Sequence, residues 1–213
     1  MLTYNHLDPE KKVFVFELDD VIFPKQDYLL QVYYLFANSL EYVEQSPSSN
    51  ELTDFLKANY LKSGEKDLFK KASEAFGIDP KHEESFNSLH VNAKLPLKLL
   101  LYKEVLGLLT YIVGEGKSIY ILTKGNPMMQ FNKIKQIEWN GLDQYIKAYY
   151  YDEIVLKSEL KPLQYVLSEN DVSPQDVLFL SLLSDKERIA ESKGVDHIDI
   201  SLFLRKDHEK EAL

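Results

Sequence analysis

The strongest constraint in this chain is a run of four β-forming apolar residues, Val13-Phe14-Val15-Phe16, that breaks abruptly into Glu17-Leu18-Asp19-Asp20. An apolar run without polar alternation marks a strand buried on both faces, and such strands belong to parallel sheets covered by helices on either side. Lys11 and Lys12 precede the run, so the acids stand at its carboxyl end. Ligands of open parallel sheets bind beyond that end. Taken alone, acids after one strand also suit a helix N-cap or a solvated turn, so the remaining strand ends have to decide.

Similar runs recur at 118–122, 146–150, 177–182 and 197–200, and helical periodicity separates them at 104–113, 127–139, 161–169 and 184–193. Glycines at 114, 116 and 194 follow two of these helices as left-handed exits. Alternation of this kind predicts an α/β fold, a Rossmann-like parallel sheet core. Residues 26–91 break the rhythm: 27–43, 51–61, 65–76 and 81–90 all read as helices, with no strand signal among them. Ser46-Pro47-Ser48-Ser49-Asn50 and Gly77-Ile78-Asp79-Pro80 punctuate them as turns, with Ser49 or Asn50 as a helix N-cap. The expected organisation is a core of residues 1–24 and 95–213 with an inserted all-helical cap, 25–94.

With 213 residues, 45% of them hydrophobic, the chain can bury one sizeable core and a smaller module. A net charge of −9 argues against a nucleic-acid partner. Cysteine is absent, which removes disulfides, thiolate nucleophiles and sulfur-ligated metals from consideration. Neither a leader-like N-terminus nor a membrane-length apolar run is evident, so a cytoplasmic protein without membrane association is expected. His6, His82, His197 and His208 are too dispersed to suggest a metal cluster.

Four strand ends carry reactive side chains: Glu17 to Pro24, Thr123-Lys124-Gly125-Asn126, Lys157, and Ser181 to Lys186. Together with the helical insertion after the first strand, they resemble the haloacid dehalogenase superfamily, most of whose members are Mg²⁺-dependent phosphatases. The resemblance covers essentially the whole chain. It places Glu17 at the nucleophile position and Asp19 at the general-acid position. Thr123 matches the hydroxyl that holds the phosphoryl group, and Lys124, Gly125 and Asn126 match the substrate-binding turn after it. Lys157 matches the conserved lysine, with Lys161 as the alternative, and either would otherwise be a solvated lysine. A receiver domain also combines strand-end acids with a hydroxyl and a lysine, but the long helical insertion argues against it.

The departures are as informative as the matches. The family uses an aspartate nucleophile, which attacks phosphorus while a second aspartate two residues on protonates the leaving group. Glu17 is one methylene longer, a displacement of roughly 1 Å that can cost on the order of 100-fold in rate. Moving the frame to Asp19 or Asp20 would make Val21 or Ile22 the proton donor, which neither can be. At the last motif, Leu182 stands at the metal-binding aspartate and Lys186 at a supporting acid, so the resemblance implies degenerate positions there. Mg²⁺ requires near-octahedral oxygen ligation, and leucine offers no ligand. Asp185 reads as a helix N-terminal residue rather than a replacement.

The resulting expectation is a pseudoenzyme without a cofactor, in which Thr123, Lys157 and strand-end backbone N–H groups bind a phosphorylated small molecule or a protein partner. Two alternatives stay open. One is a slow or metal-independent hydrolase using Glu17 and Asp19, with Mg²⁺ required only if the enzyme reading holds; the other is an interaction protein with a vestigial pocket. Lys186 is expected either to lie near Glu17 or Asp19 in place of the metal or to begin a helix facing water. The stripe Tyr28, Leu29, Val32, Tyr33, Phe36 and Leu40 reads as cap core, or with a tyrosine lining a pocket. His90, Asn92 and Lys94 fall where the cap should return, as hinge or as substrate contacts.

Overall fold

The computed structural model describes residue 4, residues 7–182 and residues 194–204 of the chain. Two compact units divide it: residues 1–24, 100–130 and 137–213 form one, and residues 25–99 with 131–136 form the other.

The first unit is α/β. Strands β1 (Val13–Phe16), β3 (Ser118–Thr123), β5 (Ile146–Tyr150), β6 (Val177–Ser181) and β7 (Asp196–Asp199) form one parallel sheet in the order β5-β3-β1-β6-β7, while β2 (Leu99–Leu100) and β4 (Ile137–Glu138) are two-residue strands outside it. All four residues of β1 are buried, as a central strand covered on both faces must be. Val13 and Val15 share one face with Val177 and Phe179, and there they meet Ile154 of α7 (Tyr151–Lys157) and Leu163 and Val166 of α8 (Pro162–Glu169). On the other face Phe14 and Phe16 are fully buried, and α5 (Lys103–Gly114) packs on β3 with Val105, Leu108, Leu109 and Ile112 inward. Just before β1, the ammonium of buried Lys11 is held by the Gln175 carbonyl at 2.7 Å and by Asp196 at 2.5 Å. The desolvated charge is thereby paired and hydrogen-bonded, as burial demands.

The second unit is helical: α1 (Lys25–Glu44), α2 (Ser49–Ser63), α3 (Leu68–Phe76) and α4 (Glu83–Asn92), joined by residues 131–136 of α6 (Pro127–Gln136). The stripe from Tyr28 to Leu40 is buried, and Phe36 meets Phe86 edge-on at 5.0 Å and Phe69 at 6.1 Å. Such aromatic pairs contribute beyond their buried area.

Two local expectations are corrected, and one element is added. The N-cap of α2 is Ser48, not Ser49 or Asn50, because a capping box needs an acid three residues on, and Glu51 stands three after Ser48. Helix α6 stops at Gln136 rather than running to Trp139, because Ile137 and Glu138 leave it as the short strand β4. Residues 151–157, which carry no marked helical signal, form α7 directly after β5. The helix expected over 184–193 lies outside the described residues. No helix among them is long and apolar enough to cross a membrane.

Truncating Phe16, 0% exposed, to alanine should cost about 3–5 kcal/mol in urea unfolding. Tyr42→Ala, at 89% exposed, should stay within about 0.5 kcal/mol of the parent.

Candidate functional site

Parallel pairing decides which residues emerge together. Phe16 lies opposite Ile121 of β3 and Leu180 of β6, so Glu17, Thr123 and Ser181-Leu182 leave the same edge of the sheet. The Glu17 amide still donates to the Leu180 carbonyl at 3.1 Å, one residue past the strand. Beyond it the chain coils tightly: the amides of Val21 and Ile22 donate to the Leu18 carbonyl, and that of Asp20 to the Phe23 carbonyl. Asp20 has φ of 59°, a left-handed conformation that aspartate tolerates better than most residues. Leu18, Val21, Ile22 and Phe23 are buried by this coil, while Glu17, Asp19 and Asp20 stay half-buried.

At the end of β3, Thr123 is almost wholly buried, and Gly125 turns the chain with φ of 114°. The Asn126 side chain then accepts from the Met129 amide at 3.1 Å, capping α6. One turn into that helix sits Gln130, only 1% exposed. Its Nε2 donates to Asp19 Oδ2 at 3.2 Å and to the Lys124 carbonyl at 2.5 Å. This amide joins the first strand end to the second. A Cβ at Gly125 would lie 3.3 Å from Gln130 Nε2, so glycine serves both the turn and the close approach.

Both partners of Nε2 are acceptors, which fixes the orientation of the amide and leaves Oε1 buried without a hydrogen-bond partner among the described residues. Such a group is costly. The sequence reading passes over Gln130; the available signal was its place four residues after the Asn126 cap, where a helical side chain leans back toward the N-terminus.

The remaining expected residues separate. Glu17, Asp19, Thr123, Lys124, Gly125, Asn126 and Leu182 come to one edge by strand register. Lys157 closes α7, exposed, with its ammonium 3.7 Å from Glu153 and 5.3 Å from the centre of the Tyr165 ring. Helical spacing in α7 sets Lys157 one turn from Glu153. Lys124 holds its ammonium 5.4 Å from the centre of the Tyr151 ring. Lys186 lies outside the described residues.

Past β6, Leu182 is half-buried and brings only hydrocarbon to the edge. Ser181 beside it is fully buried, its hydroxyl 2.6 Å from His197 Nε2. Burial depresses the His197 pKa, with Asp199 opposing the shift. His90 in the helical unit is depressed likewise, burial again outweighing Glu65. Among the described residues no group of three His, Asp or Glu side chains is placed to hold a metal ion.

No family model matches the chain, and no characterised protein matches it in sequence. Solved structures do match in fold. A putative haloacid dehalogenase-type hydrolase, YfnB from Bacillus subtilis, aligns with a TM-score of 0.58 at 15% identity over 88% of this chain and 85% of its own. A haloacid dehalogenase-like family hydrolase from Xanthomonas campestris aligns at 0.51 and 19% identity over 92% and 86%. The defluorinating L-2-haloacid dehalogenase Rha0230 aligns at 0.53 and 14% over 89% and 82%. The chain has the haloacid dehalogenase-like fold, a Rossmann-like sheet with a helical cap.

Replacing Gln130 with alanine removes a charge-assisted hydrogen bond and should lower stability by about 1–3 kcal/mol in urea unfolding. His90 and His197 generate a pH prediction. Their folded pKa values lie below the unfolded value of 6.5, so the unfolded chain takes up protons first as pH falls. Their contribution is complete above about 6.5 and declines below it. The His90→Asn/His197→Asn variant should show a flatter loss of unfolding free energy between about pH 6.5 and pH 5.

Proposed function

We propose that this protein binds a small phosphorylated ligand at the strand-end edge and does not hydrolyse it by a Mg²⁺-dependent mechanism. The observation that carries the reading is Leu182, which follows β6 directly beside the Glu17-Leu18-Asp19 turn, where the fold's hydrolases by resemblance place a metal-binding carboxylate. Phosphoryl transfer relies on positioning and charge neutralisation. An edge with Glu17 in place of aspartate and leucine in place of the second acid is poor in both.

What the edge keeps suits anion binding. The Thr123 hydroxyl, the ammonium of Lys124 and the backbone of the Lys124-Gly125-Asn126 turn come from one short segment at the start of a ten-residue helix. Lys124, carried on the same turn as Thr123, supplies the cation in this reading. Asp19 shares its charge with the Gln130 amide, which reduces its repulsion of an incoming phosphate. Slow metal-independent hydrolysis is the second reading, and its support is that Glu17 and Asp19 both remain at the edge with Asp19 anchored. The same proposal places the protein in the cytoplasm, a setting that a cysteine-free composition permits.

Purified protein with para-nitrophenyl phosphate should show no rise in turnover on adding Mg²⁺; a steep rise that disappears in Glu17→Gln would overturn the proposal. Inorganic phosphate should bind, and Thr123→Val or Lys124→Met should weaken it on the order of tenfold in calorimetric titration. Glu17→Asp alone should not create activity, whereas Glu17→Asp with Leu182→Asp and Lys186→Asp should do so partially, because residues of one catalytic unit are strongly non-additive. Full activity from the single change would show that the end of β6 is not limiting.

A further inference from the structure

The chain between α4 and β2, residues 93–98, is neither helix nor strand, yet it is held firmly within the helical unit. The Leu95 amide donates to Gln136 Oε1 at 2.6 Å, and the Leu97 amide to Gln31 Oε1 at 2.9 Å. Gln136 Nε2 donates to the Ala93 carbonyl at 3.2 Å, and Asn132 Nδ2 to the Val91 carbonyl at 2.9 Å. Three amide side chains from α1 and α6 thus take the place of the sheet or helix bonds this backbone lacks. An irregular segment fixed this way displays its side chains with little ordering cost left for a ligand to meet.

What it displays is positive. Together with Asn132, Lys135 and Gln136 of α6, the segment lines a cleft of about 440 Å³. Lys94, Lys98 and Lys135 stand around that cleft, and no acidic residue lines it. None of the three makes an ion pair among the described residues; the ammonium of Lys135 lies 5.2 Å from the centre of the Phe131 ring. Three unneutralised ammonium groups on one concavity are conspicuous in a chain of net charge −9. Mutual repulsion of like charges is unfavourable in the free protein, and an anion in the cleft relieves it.

We propose that this cleft is a binding site for a small polyanion, a compound carrying two or more phosphate or carboxylate charges. Its volume is that of a small-molecule site. The overall negative charge disfavours an extended nucleic acid, which needs a long basic track. Leu95 and Pro96 in the lining give an apolar carbon skeleton something to rest on, while the three lysines meet its charges from both the segment and the helix.

Inorganic pyrophosphate is the probe, titrated calorimetrically into the full-length protein at low ionic strength and again with added salt. Saturable binding that weakens with salt is expected. Each of Lys94→Gln, Lys98→Gln and Lys135→Gln should weaken it several-fold, and the triple variant on the order of 30-fold or more, with thermal unfolding unchanged because all three side chains are exposed. Unaltered affinity in the triple variant would overturn the proposal, as would the absence of saturable binding up to millimolar pyrophosphate. Thr123→Val separates this site from the strand-end one: loss of binding in Thr123→Val with none in the triple variant refutes the cleft and leaves the strand-end site standing. A ten-residue poly-glutamate peptide that binds while pyrophosphate does not would replace the small ligand by an acidic protein segment and refute the proposal as stated.

Discussion

Everything at the candidate site depends on the double-sided hydrogen bonding of β1. Because Phe16 pairs with both Ile121 and Leu180, the residues that follow three separate strands are delivered to one edge by backbone register. The register holds because β1 is buried on both faces: a slip of one residue would still bury apolar side chains but would break the match with Val13, Val15, Val177 and Phe179 against α7 and α8. Packing thus sets chemistry at a distance of one residue. The acids after Phe16 are half-exposed because the strand supporting them is not.

Within that frame Gln130 does what strand register does not. It sits on a helix, reaches back to the β3 turn and donates to Asp19, so the ends of β1 and β3 are tied by one side chain. A neutral donor is a measured choice beside a carboxylate: it shares the charge without cancelling it, whereas a lysine there would form an ion pair and close the edge to an incoming anion. At the end of β6 the corresponding pairing is inward, Ser181 with His197, and Leu182 adds hydrocarbon. The described edge is therefore asymmetric, polar toward β3 and apolar toward β6.

The helical unit shows the same division between elements that pack and elements that present. Its aromatic core around Phe36, Phe69 and Phe86 is filled with side chains in edge-to-face and tilted contact. Its connecting segment, in contrast, buries little and is secured by amides from Gln31, Asn132 and Gln136. Hydrogen bonds of this type are individually worth about 1 kcal/mol, but they determine backbone direction, and hence where Lys94 and Lys98 point their charge.

Much of this was legible along the chain, because periodicity is a local property. The unbroken apolar run of β1, the alternation that follows and the helical stretch from Asp27 onward each report burial on a repeating geometry, and from these the parallel sheet and the helical insertion follow. The residue types after each strand likewise announced Glu17, Asp19, Thr123 and Leu182. The basic cleft was not legible, since lysines at 94, 98 and 135 carry no meaning until distant segments meet, and Gln130 was marked only by its place one turn after the Asn126 cap. Lys157, suggested by its spacing, closes a helix of its own with its ammonium near Glu153. Sequence by itself determined which segments are buried and therefore which elements exist; only the tertiary structure decided which polar groups meet, because hydrogen bonds and charges act over a few ångströms in space with no period along the chain.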